Sequence, residues 1–149
     1  MNRHKHQQSS FSSQELSRLL AAYLDSVSDF LWATLATAEH SPAIADRFEA
    51  LAQQELRHFR LLGELMLRRG IDPPVRSLLR RSATSRTLAS PITEQSAEAI
   101  LRSLQHHTEQ RLSLARSILT APELEAEDIT ATLLIEQEES VRRLRRMMS

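Results

Sequence analysis

Apolar residues recur at intervals of three and four along most of this chain, and that spacing predicts helices. Leu16, Leu20, Tyr23, Val27, Phe30, Leu31 and Thr34 fall on one stripe behind Ser12-Ser13-Gln14-Glu15, which reads as a capping box. The first helix is expected over about 12–39, after a polar, disordered tail at 1–11. His40-Ser41-Pro42 interrupts it, with Ser41 placed to cap a new helix and Pro42 suited to its first turn. The second helix, 42–69, carries Ile44, Phe48, Leu51, Ala52, Phe59, Leu62, Leu65 and Met66 on one side. Gly70 ends it, and Asp72-Pro73-Pro74 forbids continuation.

A mixed stretch follows over 70–92. Val75 to Arg81 suits a short helix, and Ser82 to Pro91 reads as loop. A third helix is expected over 93–120, with Ala97, Ile100, Leu101, Leu104, Thr108, Leu112, Ala115, Ile118 and Leu119 inward. After the break at Thr120-Ala121-Pro122-Glu123, a fourth runs over 122–148 with Leu133, Leu134, Val141, Leu144 and Met148 inward. Its acids come first and its arginines last, which matches the helix dipole. Short turns make antiparallel neighbours, and a link of roughly 20 residues can span a helix about 40 Å long. The expected fold is all-α: an antiparallel four-helix bundle of two hairpins joined by a long crossover, in one domain over 12–148.

Composition agrees and narrows the chemistry. The chain of 149 residues has two glycines and no cysteine, so disulfides, thiolate metal sites and cysteine nucleophiles are excluded. Nineteen basic and 19 acidic residues balance, so bulk attraction to nucleic acid or anionic membrane is not expected. No apolar run approaches the roughly 18 residues of a membrane span, and no secretory signal opens the chain. A cytoplasmic protein is expected. No Ser/His/Asp triad can be assembled, and glycine is too scarce for a phosphate-cradling loop.

Chemistry enters with the polar residues that share the apolar stripes. Glu55 falls near the centre of the second helix's stripe, and His58, three residues on, lies at its edge on the same side. An unpaired interior carboxylate costs several kcal/mol, so something must meet Glu55. Thr108 and Arg111 face inward on the third helix, with His107 flanking, and Gln137 does so on the fourth.

The segment from Ala52 to Leu62, with Glu55 and His58 in Glu-x-x-His spacing and the run Arg69-Gly70-Ile71-Asp72-Pro73-Pro74 behind it, resembles the second helix of the ferritin-like superfamily, particularly its rubrerythrin-like members. The motif resemblance covers 41–74, and the Ser41-Pro42 turn falls 13 residues before Glu55. The resemblance implies that Glu55 and His58 stand where a bridging carboxylate and an imidazole hold a di-iron or di-manganese site. A complete site takes further Glu residues from helices one and three and a second Glu-x-x-His from helix four. This chain departs from that pattern. Val27 stands at the first position, while Asp25, 30 residues before Glu55, faces away. Glu109 also points away, and Glu138 and Val141 replace the second pair.

The expected interior is therefore a dismantled metal centre: a polar network of Glu55, His58, Thr108, Arg111 and Gln137, with Arg111 forking onto Glu55 in place of a metal. The expected function is non-catalytic, in assembly or interaction, with a homo-oligomer or protein partner and no cofactor. The alternative is an iron- or manganese-dependent oxidoreductase or iron-handling protein using Glu55, His58, Glu138 and His107. A second alternative is nucleic-acid or acidic-partner binding through Arg68, Arg69, Arg76, Arg80, Arg81 and Arg86 of the crossover. His4 and His6 in the tail, and the turn residue His40, carry no inferred role.

Overall fold

A computed structural model describes residues 12–85 and 96–148, with the side chains of 82–85 excepted. The tail 1–11, with His4 and His6, lies outside these residues, as do Arg86 and the expected start of the third helix at Thr93. The fold is all-α, with no strand among the described residues. The helices are α1 (Ser13–Thr37), α2 (Pro42–Arg68), α3 (Val75–Ser85), α4 (Ala97–Leu119), α5 (Pro122–Glu125) and α6 (Asp128–Met148).

The ends are built by local chemistry. Ser12 caps α1 by accepting the Glu15 amide at 3.2 Å, and Ser96 caps α4 by accepting the Ala99 amide at 3.1 Å. Pro42 occupies the first turn of α2, where its missing N–H costs nothing. At the other end Gly70 adopts φ +74°, the left-handed conformation that lets the chain reverse. The Gly70 amide then reaches the Leu67 carbonyl at 3.0 Å, and the Ile71 amide reaches Met66 at 2.8 Å, a Schellman closure.

Three expectations need correction. The stretch from Ser82 continues as helix to Ser85, so the loop reading there fails. The fourth helix is not continuous: α5 and α6 are separated at Ala126-Glu127. The reason is angular. Nine residues at 100° each would place Leu124 opposite Leu133 on an unbroken helix. Both are fully buried, and only a break lets both turn inward. Finally, α1 is long and apolar enough by composition to cross a membrane. In this fold, however, its buried face (Leu16, Leu19, Leu20, Tyr23, Phe30 and Ala33) is core.

α1 packs along α2 and α4, α6 packs along α4 and α2, and α3 lies against α1. Two apolar clusters result. One gathers Leu16, Leu20, Leu62, Leu65, Met66, Leu78, Leu119, Leu124 and Leu133. The other gathers Phe30, Phe48, Leu51, Ile100, Leu104 and Leu144, with Phe30 and Phe48 rings 6.5 Å apart. By residue order along each helix, Ser26, Glu55, His58, Thr108, Arg111 and Gln137 fall between the two clusters. All are buried.

Candidate functional site

The candidate site is this polar layer. α2 contributes Glu55 and His58, one helical turn apart and both fully buried. The His58 Nδ1 lies 3.3 Å from Glu55 Oε1, so the carboxylate is met first by its own helix neighbour. On the ring's far side, Nε2 lies 3.2 Å from Glu136 Oε1. A ring carrying both protons donates to both carboxylates; a neutral ring donates to one.

Glu136, half-buried on α6, joins the layer to the surface. Its Oε1 accepts from Gln54 Nε2 at 2.6 Å and from Arg57 Nε at 3.0 Å, and its Oε2 from Arg57 at 3.1 Å. Partial burial pushes this carboxyl up. The forked Arg57 contact and the His58 ring outweigh that and hold it below the ordinary range for glutamate.

Across the interior, the Arg111 guanidinium is buried on α4. It donates to Thr108 Oγ1 at 3.0 Å and lies 3.6 Å from Asp29 Oδ2. Thr108 in turn donates to the Leu104 carbonyl at 2.7 Å. Burial pushes the Arg111 pKa down from the ordinary arginine value, while the charges of Glu55, Asp29 and Asp25 pull the other way. Tyr23, whose ring centre is 5.7 Å from that of His58, feels both partners. Burial, and then the Glu55 charge, push its phenol well above the ordinary value, and Arg111 only partly offsets them.

The layer is incompletely bonded. Tyr23 Oη, Ser26 Oγ, Glu55 Oε2, Arg111 Nε and both amide atoms of Gln137 are buried without a hydrogen-bond partner. Four helices thus aim polar atoms into one interior level.

The expected network is therefore brought to one level but wired differently. Glu55, His58, Thr108, Arg111 and Gln137 are all buried there. The expected fork from Arg111 to Glu55 does not form; the guanidinium serves Thr108 and Asp29, and Glu55 is engaged by His58. Of the expected metal set, Glu138 and His107 are not brought to Glu55 and His58. Glu138 pairs with Arg116 at 3.0 Å on the surface, and His107 is half exposed, 4.0 Å from Asp29. Val27 is only half-buried; Ser26 takes the interior position on α1. Glu109 points outward to Arg145 at 3.0 Å, and Asp25 is exposed.

Asp29 and Glu136 were not singled out by sequence reasoning. Each flanks the buried stripe of its helix, Asp29 beside Phe30 and Glu136 beside Gln137. An acid at a stripe edge, opposite an inward Arg or His on another helix, was the available signal.

The donor set does not fit a di-metal centre. Glu55 and His58 come from one helix, and the buried residues that α4 and α6 add at this level, Thr108, Arg111, Gln137 and Val141, include no carboxylate or imidazole. Arg111 adds a fixed positive charge, and His58 turns both nitrogens to carboxylates. Among the described residues no three or more His, Asp or Glu side chains converge on a cation position. Compared with protein-family models, curated proteins and solved structures, the chain matches none.

Proposed function

We propose that this chain is a non-catalytic member of the ferritin-like class in which side-chain charges have replaced a di-metal centre, and that it acts in assembly or interaction. On this reading the long helices form an antiparallel four-helix bundle of two hairpins, with residues 70–92 in the crossover. The placement of the starts of α1 and α6 with the ends of α2 and α4 in one apolar cluster supports that topology.

The carrying observation is the burial of Arg111 in the same layer as Glu55. A guanidinium stays protonated in proteins, so it is a permanent interior cation that opposes entry of a divalent one.

Metal analysis of protein loaded with Fe(II) or Mn(II) and then desalted tests it. The reading expects far less than one metal per chain, unaffected by Glu55→Ala. Stoichiometric metal lost on Glu55→Ala, or oxygen-dependent Fe(II) oxidation above background, overturns it. A second reading, metal-dependent chemistry at Glu55 and His58, draws on one observation: Glu55 Oε2 has no hydrogen-bond partner. The same experiment separates the two.

A further inference from the structure

A groove of about 400 Å³ opens between the first half of α2 and the last turns of α6, away from the polar layer. Its floor is apolar: Ala50, Leu51 and Met147. Leu51 is 2% exposed and belongs to the cluster with Phe30 and Phe48, so the floor is the outer edge of the core. Its rim carries Arg47, Arg143 and Arg146, and among the described residues no acidic side chain lines it. Arg47 makes no ion pair among the described residues. Arg143 and Arg146 share one carboxylate, that of Glu139, at 3.6 and 2.8 Å, and Arg142 claims the same group at 3.0 Å. Glu139 lies nearer to Arg146 and Arg142 than to Arg143, so Arg143 and Arg47 are the rim guanidiniums available to a ligand's headgroup.

We infer that this groove binds a long-chain carboxylate, its hydrocarbon tail on Ala50, Leu51 and Met147 and its headgroup among Arg47, Arg143 and Arg146. The volume lies within the roughly 300–1,000 Å³ of small-molecule sites. An apolar floor selects against small hydrophilic anions, because only a ligand with its own apolar surface gains from covering it. A guanidinium rim selects a carboxylate, which it can meet with two parallel hydrogen bonds. An acidic peptide or an oligonucleotide would use the rim and leave the floor wet. The inference does not rest on the metal-replacement reading, since the two sites share no residue.

Calorimetric titration of the full chain with dodecanoate tests it, alongside acetate (headgroup without tail) and dodecyltrimethylammonium (tail with the opposite charge). The expected result is saturable one-to-one binding of dodecanoate alone. Arg47→Glu is expected to weaken it roughly tenfold, about 1.4 kcal/mol. Ala50→Trp, at an exposed helix position, fills the groove with the charges intact and is expected to abolish binding while the melting temperature holds. Three results overturn the inference: no saturation by dodecanoate up to about 1 mM, equal binding of the cationic amphiphile, or binding that survives Ala50→Trp. Binding of an acidic peptide or oligonucleotide that displaces dodecanoate and persists in Ala50→Trp also overturns it, in favour of a charge-only surface.

Discussion

Arg111 reaches 3.6 Å from Asp29 across the α1–α4 contact, with its guanidinium buried and the aspartate half-buried. The pair therefore sits at the rim of the polar layer, and the charge of Glu55 is felt by Arg111 without a direct bond. This geometry makes Arg111 a cation shared among several acids.

Replacing it removes the one buried guanidinium whose charge those acids feel in common. Arg111→Leu is expected to destabilise the fold by about 3 kcal/mol, because stranding a buried charge costs more than the pair itself contributes. Melting followed by circular dichroism at neutral pH checks it, with a drop of roughly 10 °C anticipated. An unchanged melting temperature would mean that Arg111 neutralises nothing the fold depends on.

Gln137 gives the opposite sign. Its amide is fully buried with neither atom bonded, so the folded state carries the desolvation cost and gains no bond. Gln137→Met keeps the volume and removes the polar atoms. A stabilisation of about 1–2 kcal/mol is expected in urea unfolding at unchanged m-value. A loss of stability would show that the amide makes a contact in solution.

Tyr23 is the chain's single tyrosine, so its ionisation can be followed by absorbance without overlap from another. Its folded-state pKa is raised, chiefly by burial. The neutral phenol therefore contributes stability fully below the unfolded value of about 10 and progressively less above it. Tyrosinate absorbance is expected to rise only together with alkaline loss of helix. A tyrosinate signal at pH 10 in protein that keeps full helical ellipticity would refute this.

Glu136 controls the acid side. Its folded pKa is depressed, with the Arg57 and His58 contacts outweighing partial burial. The associated stability is present above the unfolded value of about 4.3 and is lost as pH falls through the lower folded value. The melting temperature should decline on acidification below about pH 5, and Glu136→Gln should decline less over the same interval. Parallel curves for the two proteins would count against the contact.

The two glycines separate backbone effects from packing. A methyl group at Gly63 or Gly70 would meet nothing within 4 Å, so packing does not decide either site. Gly63 lies inside α2, where alanine is favoured by about 0.5–1 kcal/mol. Gly70 holds φ +74°, where a Cβ costs about 1–2 kcal/mol. Gly63→Ala should raise the midpoint of urea unfolding and Gly70→Ala should lower it. Shifts of the same sign would reject the backbone argument.

The sequence carried the helices because each apolar stripe has a single period and clear stops: Pro42, Gly70 and the Pro73-Pro74 pair. It also carried the burial of Glu55, His58, Thr108, Arg111 and Gln137, which follows from phase on one helix. It could not carry pairing between helices. Phase places Arg111 and Glu55 inward, but whether a flexible guanidinium forks onto Glu55 or reaches sideways to Asp29 depends on the offset and separation of α1, α2 and α4. Those are tertiary quantities. The break before α6 was legible in principle, since Leu124 and Leu133 lie half a turn apart in phase. The acidic run between them looked like an ordinary helix start and concealed it. Ser26 at the place expected of Val27 is a shift of one residue, the error a straight wheel makes on a long helix.

The polar level between the two apolar clusters also acts as a vernier. Sliding any one of α1, α2, α4 or α6 by a single turn, about 5.4 Å, would push a polar or charged side chain among leucines and an apolar one among polar groups. Uniformly greasy helices tolerate such slippage, because one leucine contact replaces another. Here each misalignment is penalised separately, so the incompletely bonded layer exchanges stability for one permitted alignment of the helices.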